Sequence, residues 1–198
     1  KARLTQPNGS EISAATVARS LRIAPPMIGL GLLEAIPESD LLANADPDDL
    51  NGDGISGRPV WVEDQDGIRR IGRFGWKSTS ASIMQQSADA YQQDMGLTTT
   101  TGPNSALAID GKPADISWKE LVGVAYYTQT LGSPATAKKA SSEVVSRGSH
   151  VFDQLQCATC HVPTQLTGFN PEAVAGVLND QEIWPYTDLL VHDMGPGL

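Results

Sequence analysis

The sequence predicts a mainly α-helical fold with one small β-hairpin. Three observations lead there. Helix start and stop signals recur along the chain, apolar residues between them fall at helical spacing, and only one Asp-Gly turn joins two β-prone runs. The 198 residues are 40% hydrophobic and 19% charged, which is ordinary globular composition and excludes disordered and collagen-like architectures. No apolar run approaches the roughly 20 residues of a membrane helix. With 14 basic and 23 acidic residues the formal charge is −9, which argues against nucleic acid as a partner because phosphate binding needs a basic surface.

Residues 12–21 carry a short helical pattern. Pro25 and Pro26 can open a helix, since proline in the first turn loses no needed donor. Met27, Ile28, Leu30, Leu32, Leu33 and Ile36 then fit a short buried helix ended before Pro37. Residues 38–53 hold six acids and no base. Runs 60–63 and 68–74 flank Asp64-Gln65-Asp66-Gly67 and predict a hairpin. Ser80 or Ser82 can cap a helix running to Met95, with Gly96 at its C-terminal turn. Residues 97–116 read as a polar loop. Ser117-Trp118-Lys119-Glu120 is a capping box, opening a helix that stops at Gly132. Residues 132–142 are small, polar and basic, and read as a linker. Ser142 can cap a helix running into Cys157. The tail from Pro163 shows helical signal only at 171–178, and Trp184 to Gly195 reads as irregular.

Cys157-Ala158-Thr159-Cys160-His161 is C-x-x-C-H, the attachment motif of c-type haem. Two thiols three positions apart on one turn can form thioethers to the two vinyl groups of one porphyrin. The next residue then lies under the ring, where its imidazole reaches iron. A thioredoxin-type dithiol does not need the histidine, and a zinc site using His150 or His192 fits poorly with His161 adjoining Cys160. Electron-transfer haems commonly take Met or His as second axial ligand. Met194 is the first choice for that place, in a loop bordered by Gly195 and Pro196. The alternatives are a ligand beyond Leu198, an open distal side, or a Met194 that only packs.

Asp49-Leu50-Asn51-Gly52-Asp53-Gly54-Ile55 copies the first half of an EF-hand loop. Asp49, Asn51 and Asp53 supply oxygens at positions 1, 3 and 5 for calcium. Position 12 is Val60, so the bidentate glutamate is missing, and Asp46 or Asp48 would have to substitute. The competing reading is a solvated Asp/Asn/Gly turn without metal. Arg58, Arg73 and Lys77 are candidates for charge-assisted bonds to haem propionates, with Trp76 and Trp184 packing on porphyrin edges. Core tryptophans and surface cations are the ordinary alternative.

The segments RIAPPMIGLGLLEAIPE (22–38), DPDDLNGDGISGR (46–58), GRFGWKS (72–78), QQDMGLTT (92–99), CATCHVP (157–163) and PYTDLLVHDMG (185–195) resemble the di-haem oxidoreductase family. That family is also labelled a thiol oxidoreductase, and is distantly similar to bacterial di-haem cytochrome c peroxidases. The resemblance implies a periplasmic protein with two cytochrome c-like domains, each holding one covalent haem. It implies Cys157 and Cys160 as thioether sites and His161 as proximal ligand. Because this chain has one C-x-x-C-H, it reads as a piece of a longer protein whose other motif lies upstream and whose signal peptide is not in this chain. The expected division is 1–131 as the end of a first haem domain, 132–142 as linker and 143–198 as the start of a second.

The expected function is electron transfer within a di-haem, peroxidase-like oxidoreductase, with a redox partner protein or a small oxidant as partner. The alternative is a mono-haem electron carrier without catalytic activity. A third reading has the cysteines without haem.

Overall fold

The computed structural model describes residues 9–10, 23–100, 112–134, 143–168 and 176–195. Among the described residues five α-helices dominate: α1 (Leu30–Glu34), α2 (Glu38–Ala43), α3 (Ile83–Met95), α4 (Trp118–Gln129) and α5 (Glu143–Gln154). Strands β1 (Trp61–Glu63) and β2 (Arg69–Ile71) form one antiparallel pair; β3 (Gln165–Leu166) and β4 (Glu182–Ile183) form another. The architecture is mainly α with small β elements. Among the described residues no helix is long and apolar enough to cross a membrane.

Local signals place α3, α4 and the first hairpin as expected. Ser82 is extended and its hydroxyl accepts from the Gln85 N–H, while Gly96 closes α3 at φ 70°. A left-handed residue there suits glycine, which has no Cβ to clash. Ser117 and Glu120 form a complete capping box on α4. In the hairpin turn, Asp64 Oδ1 accepts from the N–H groups of Asp66 and Ile68. The side chain adds to the backbone turn bond from Gly67 N–H to Asp64 O.

Other expectations are corrected. Pro25 and Pro26 precede a turn at Ile28 and Gly29, and α1 begins only after Gly29, whose φ of 74° no proline-led helix would contain. The acidic stretch contains a helix, α2, led by Pro37 with Glu38 and Asp40 in its first turn. Acidic side chains are favoured there by the helix dipole. The tail holds a second strand pair where one hairpin was expected in all; two residues per strand leave no period to read. The expected helix at 12–21, the cap Ser142, residues 101–111 of the polar loop and most of the linker lie outside the described residues.

Two small cores organise the molecule. Phe74, Ile83 and Ala125 bury together, with Leu30, Leu33 and Met84 against them. Here α1 and α4 meet so closely that a Cβ on Gly31 would collide with the Gln129 carbonyl oxygen. Glu34 ties this junction together: its carboxylate accepts from the Ile83 N–H at the start of α3 and from the Gln129 amide in α4. The second core is Ile36, Leu41 and Ile71, covered by Leu33, Ile183 and Leu189. The tail thus closes a core begun in α1 and α2. Gly168 N–H donates to Ala35 O, and Arg58 and Val191 exchange backbone hydrogen bonds of 2.9 and 3.0 Å.

Arg73 joins the helical corner. Its Nη1 donates to the carbonyls of Leu33, Glu34 and Ile36 at the C-terminal end of α1, where helix carbonyls lack intrahelical donors. Burial draws its pKa below the usual arginine value, opposed by Glu38 and Glu34. This guanidinium is engaged through Nη1 in capping a helix. Lys77 lies 6.0 Å over the Trp76 ring, a cation–π arrangement at the surface.

Candidate functional site

Helix α5 leads into the cysteine motif but does not run through it. After Gln154 the chain turns, and Gln156 takes φ 58°, a left-handed conformation that is strained for a residue with a Cβ. Cys157–Thr159 then form one 3₁₀ turn. The His161 N–H donates to Cys157 O at 2.9 Å, so both cysteines and the histidine share a single turn. Both thiols are free and half-buried.

His161 is oriented from the tail. Its Nδ1 lies 3.0 Å from the Tyr186 carbonyl oxygen. A carbonyl only accepts, so the ring proton sits on Nδ1 and the Nε2 lone pair is left available. Tyr186 itself adopts φ 52°, and nearby Leu189 φ 58°. Such strain costs of order 1–3 kcal/mol per residue and concentrates at functional sites. Phe152 supports both sides, edge-on to Tyr186 at 5.5 Å and to His161 at 6.4 Å between ring centres.

Cys160 has a second neighbourhood. Its Sγ lies 3.8 Å from His192 Nδ1, and His192 Nε2 lies 2.7 Å from the buried Asp188 carboxylate. Asp188 is fixed in turn, donating its N–H to Cys160 O and accepting from Leu190 N–H. Burial, then Asp188 and Asp53, push the Cys160 thiol up from its ordinary pKa, which keeps it protonated. Sequence reasoning named His192 only as an alternative zinc ligand and missed its pairing with Asp188. The i, i+4 spacing in Asp188-Leu189-Leu190-Val191-His192 was the available signal.

The residues fit a haem. Helix α5 has a pronounced apolar stripe yet buries none of its residues, leaving Val144, Val145 and Val151 exposed. Leu155, Trp184 and Tyr186, beside or behind the motif in the chain, are exposed as well. Exposed apolar side chains on the elements that flank two thiols and a free imidazole nitrogen suit a flat apolar ring carrying vinyl groups and iron. Cys157 and Cys160 would hold it, with His161 Nε2 facing the metal.

Met194 is 69% exposed, two positions beyond His192. The structure brings His192, rather than Met194, against the motif. His150 is an exposed residue of α5.

The acidic loop satisfies itself. Asp46 accepts from Leu50 and Asn51 N–H, Asp49 from Gly54 N–H, Asn51 from Asp53 N–H, and Asp53 from Ile55 N–H. Arg58 closes the loop by donating to Pro47 O. Among the described residues no group of three or more His, Cys, Asp or Glu could hold a metal ion. A separate cavity of about 430 Å³ is lined by Glu34, Glu38, Asp64, Arg70, Arg73 and Ser82. Its Glu34, Asp64 and Arg73 are committed to the structural bonds already described.

A family model described as "Di-haem oxidoreductase, putative peroxidase" matches the chain twice, over residues 5–117 and 109–198. The chain belongs to this di-haem oxidoreductase family. Membership implies haem binding and oxidoreductase chemistry, in agreement with the resemblance carried by the motifs. In this di-haem oxidoreductase chain the second match contains C-x-x-C-H, α5 and the tail with Tyr186, Asp188 and His192. No curated protein and no solved structure matches the chain.

Proposed function

We propose that this chain is a c-type haem protein that transfers electrons within a di-haem, peroxidase-like oxidoreductase of the periplasm. One observation carries the reading: His161 is locked by the Tyr186 carbonyl with Nε2 free, on the same turn as two unpaired thiols. Holding the outer nitrogen of a ligating histidine is how proteins fix ring orientation and raise ligand basicity. Haem iron bound there supplies one-electron redox chemistry. The protein's part is to anchor through Cys157 and Cys160, orient His161, and surround one porphyrin face with the apolar residues of α5 and the tail. The redox partner is a protein or a small oxidant. A pyridine-haemochrome spectrum of protein made with haem-maturation machinery is expected to give one haem c per chain of these 198 residues. A ratio of zero rejects the reading.

Met194 is proposed as the opposite axial ligand. Its exposure leaves the thioether free to face a ring plane beside the motif. Met194→Ala is expected to convert ferric iron from low spin to high spin in EPR, because loss of the thioether opens the sixth position. A spectrum unchanged from wild type makes Met194 a surface residue.

Calcium at Asp49, Asn51 and Asp53 is a further proposal, supported by the spacing of the oxygens. Stripping with EDTA and restoring calcium is expected to raise the Tm, since a ligand bound only to the folded state stabilises it. An unchanged Tm assigns the loop to its own backbone bonds.

A further inference from the structure

We infer that His192, oriented by Asp188, is a positioning residue for the Cys160 sulfur and directs formation of the second thioether. The inference rests on the haem reading above and adds a role for a pair of residues that haem binding by itself does not use.

The geometry is directional. Asp188 is 3% exposed, and its carboxylate lies 2.7 Å from His192 Nε2. An ionised carboxylate only accepts, so the imidazole donates from Nε2 and presents the Nδ1 lone pair on its other side. That lone pair faces Cys160 Sγ at 3.8 Å, a long contact such as a weak S–H donor makes. The imidazole cannot easily retreat or turn. Gly57 packs against it so closely that a Cβ there would lie 3.1 Å from His192 Cε1 and 2.9 Å from Leu190 Cδ1. The Asp188 N–H holds the Cys160 carbonyl as well, so one residue fixes both the backbone and, through His192, the side chain of the same cysteine. Among the described residues no side chain makes a corresponding contact with the Cys157 sulfur.

The step that benefits is addition of the thiol across a vinyl double bond. The sulfur–carbon bond forms, the carbon–carbon π bond and the S–H bond break, and the hydrogen ends on the neighbouring vinyl carbon. No external oxidant or reductant enters the balance. An S–H directed at His192 turns the remaining sulfur lone pairs away from the imidazole. The sulfur is thereby presented in one orientation rather than in three staggered ones.

The test uses the full chain made with haem-maturation machinery, and reads the number of thioethers by mass spectrometry of the 157–161 peptide and by the haemochrome band, which shifts to longer wavelength when one vinyl remains. His192→Gln keeps a donor for Asp188 but removes the acceptor at Nδ1. It is expected to accumulate chains joined through Cys157 alone, at several-fold the wild-type level, with an unchanged Tm. His192→Asn, which can restore an acceptor near the Nδ1 position, is expected to recover double attachment in part. Two thioethers in His192→Gln at the wild-type level overturn the inference while leaving the haem reading intact. Equal loss at both cysteines with a lowered Tm in both variants also overturns it, by reducing His192 to a structural residue. A wild-type peptide without haem overturns the haem reading and this one with it.

Discussion

Replacing Cys157 and Cys160 together by serine is expected to abolish covalent haem completely. The peptide containing residues 157–161, from protein made with haem-maturation machinery, should keep its unmodified mass, whereas the wild-type peptide gains one haem. The thiols are unpaired, with Cys157 opening the 3₁₀ turn and Cys160 closing it. Serine conserves size but forms no thioether. His161→Ala is the informative companion. It leaves both sulfurs in place, so haem remains covalently attached while iron loses its nitrogen ligand. The optical and EPR spectra should therefore change with the mass unaltered. An unmodified wild-type peptide, or a His161→Ala spectrum like wild type, contradicts the assignment.

Arg73→Met is expected to destabilise the fold by about 3–5 kcal/mol, the range for removing one partner from a buried charged network. The Glu34 and Ile36 carbonyls lose their donor at once, while Leu33 O keeps a backbone N–H, and each buried acceptor left alone costs roughly 1–3 kcal/mol. Glu34 and Glu38 also lose the cation between them. Because small domains are stable by only about 5–15 kcal/mol, urea unfolding should show a large drop in midpoint. Arg73→Lys should recover part of the loss, since an ammonium keeps the charge and donates from a single nitrogen as Nη1 does, but on a shorter side chain. A midpoint within experimental error of wild type would show that water replaces the guanidinium without penalty.

What was legible in the sequence was local. Ser82 with Gly96, the Ser117–Glu120 box and the Asp64–Gly67 turn each place their signal within a few residues of its effect, and the structure follows them. The C-x-x-C-H spacing is equally local. The rest depends on partners distant in the chain. Arg73 reads as a free cation until α1 is folded beside it. The short strands β3 and β4 exist because Thr167 and Gln181 exchange hydrogen bonds, which no period announces. Gly29 delays the start of α1 because its left-handed backbone forms the turn that precedes the helix, overriding the two prolines. At the candidate site, His161 was legible from its motif. Its lock on Tyr186 and the approach of His192 to Cys160 were not, because both are made by the tail's irregular backbone.

The backbone exchange between Arg58 and Val191, with Ile183 and Leu189 covering Ile36, Leu41 and Ile71, has a consequence for the order of assembly. The ribosome makes the amino-terminal platform long before the segment that docks on it. Closing so long a loop is slow but adds little equilibrium cost, because the entropy grows only logarithmically with length. The two sulfurs and His161 emerge together, as a ready chemical handle. The carbonyl that steers His161 arrives later and is seated on the opposite end of the chain. A truncation that removes residues 182–191 would spare every residue of the handle and still leave its imidazole unsteered.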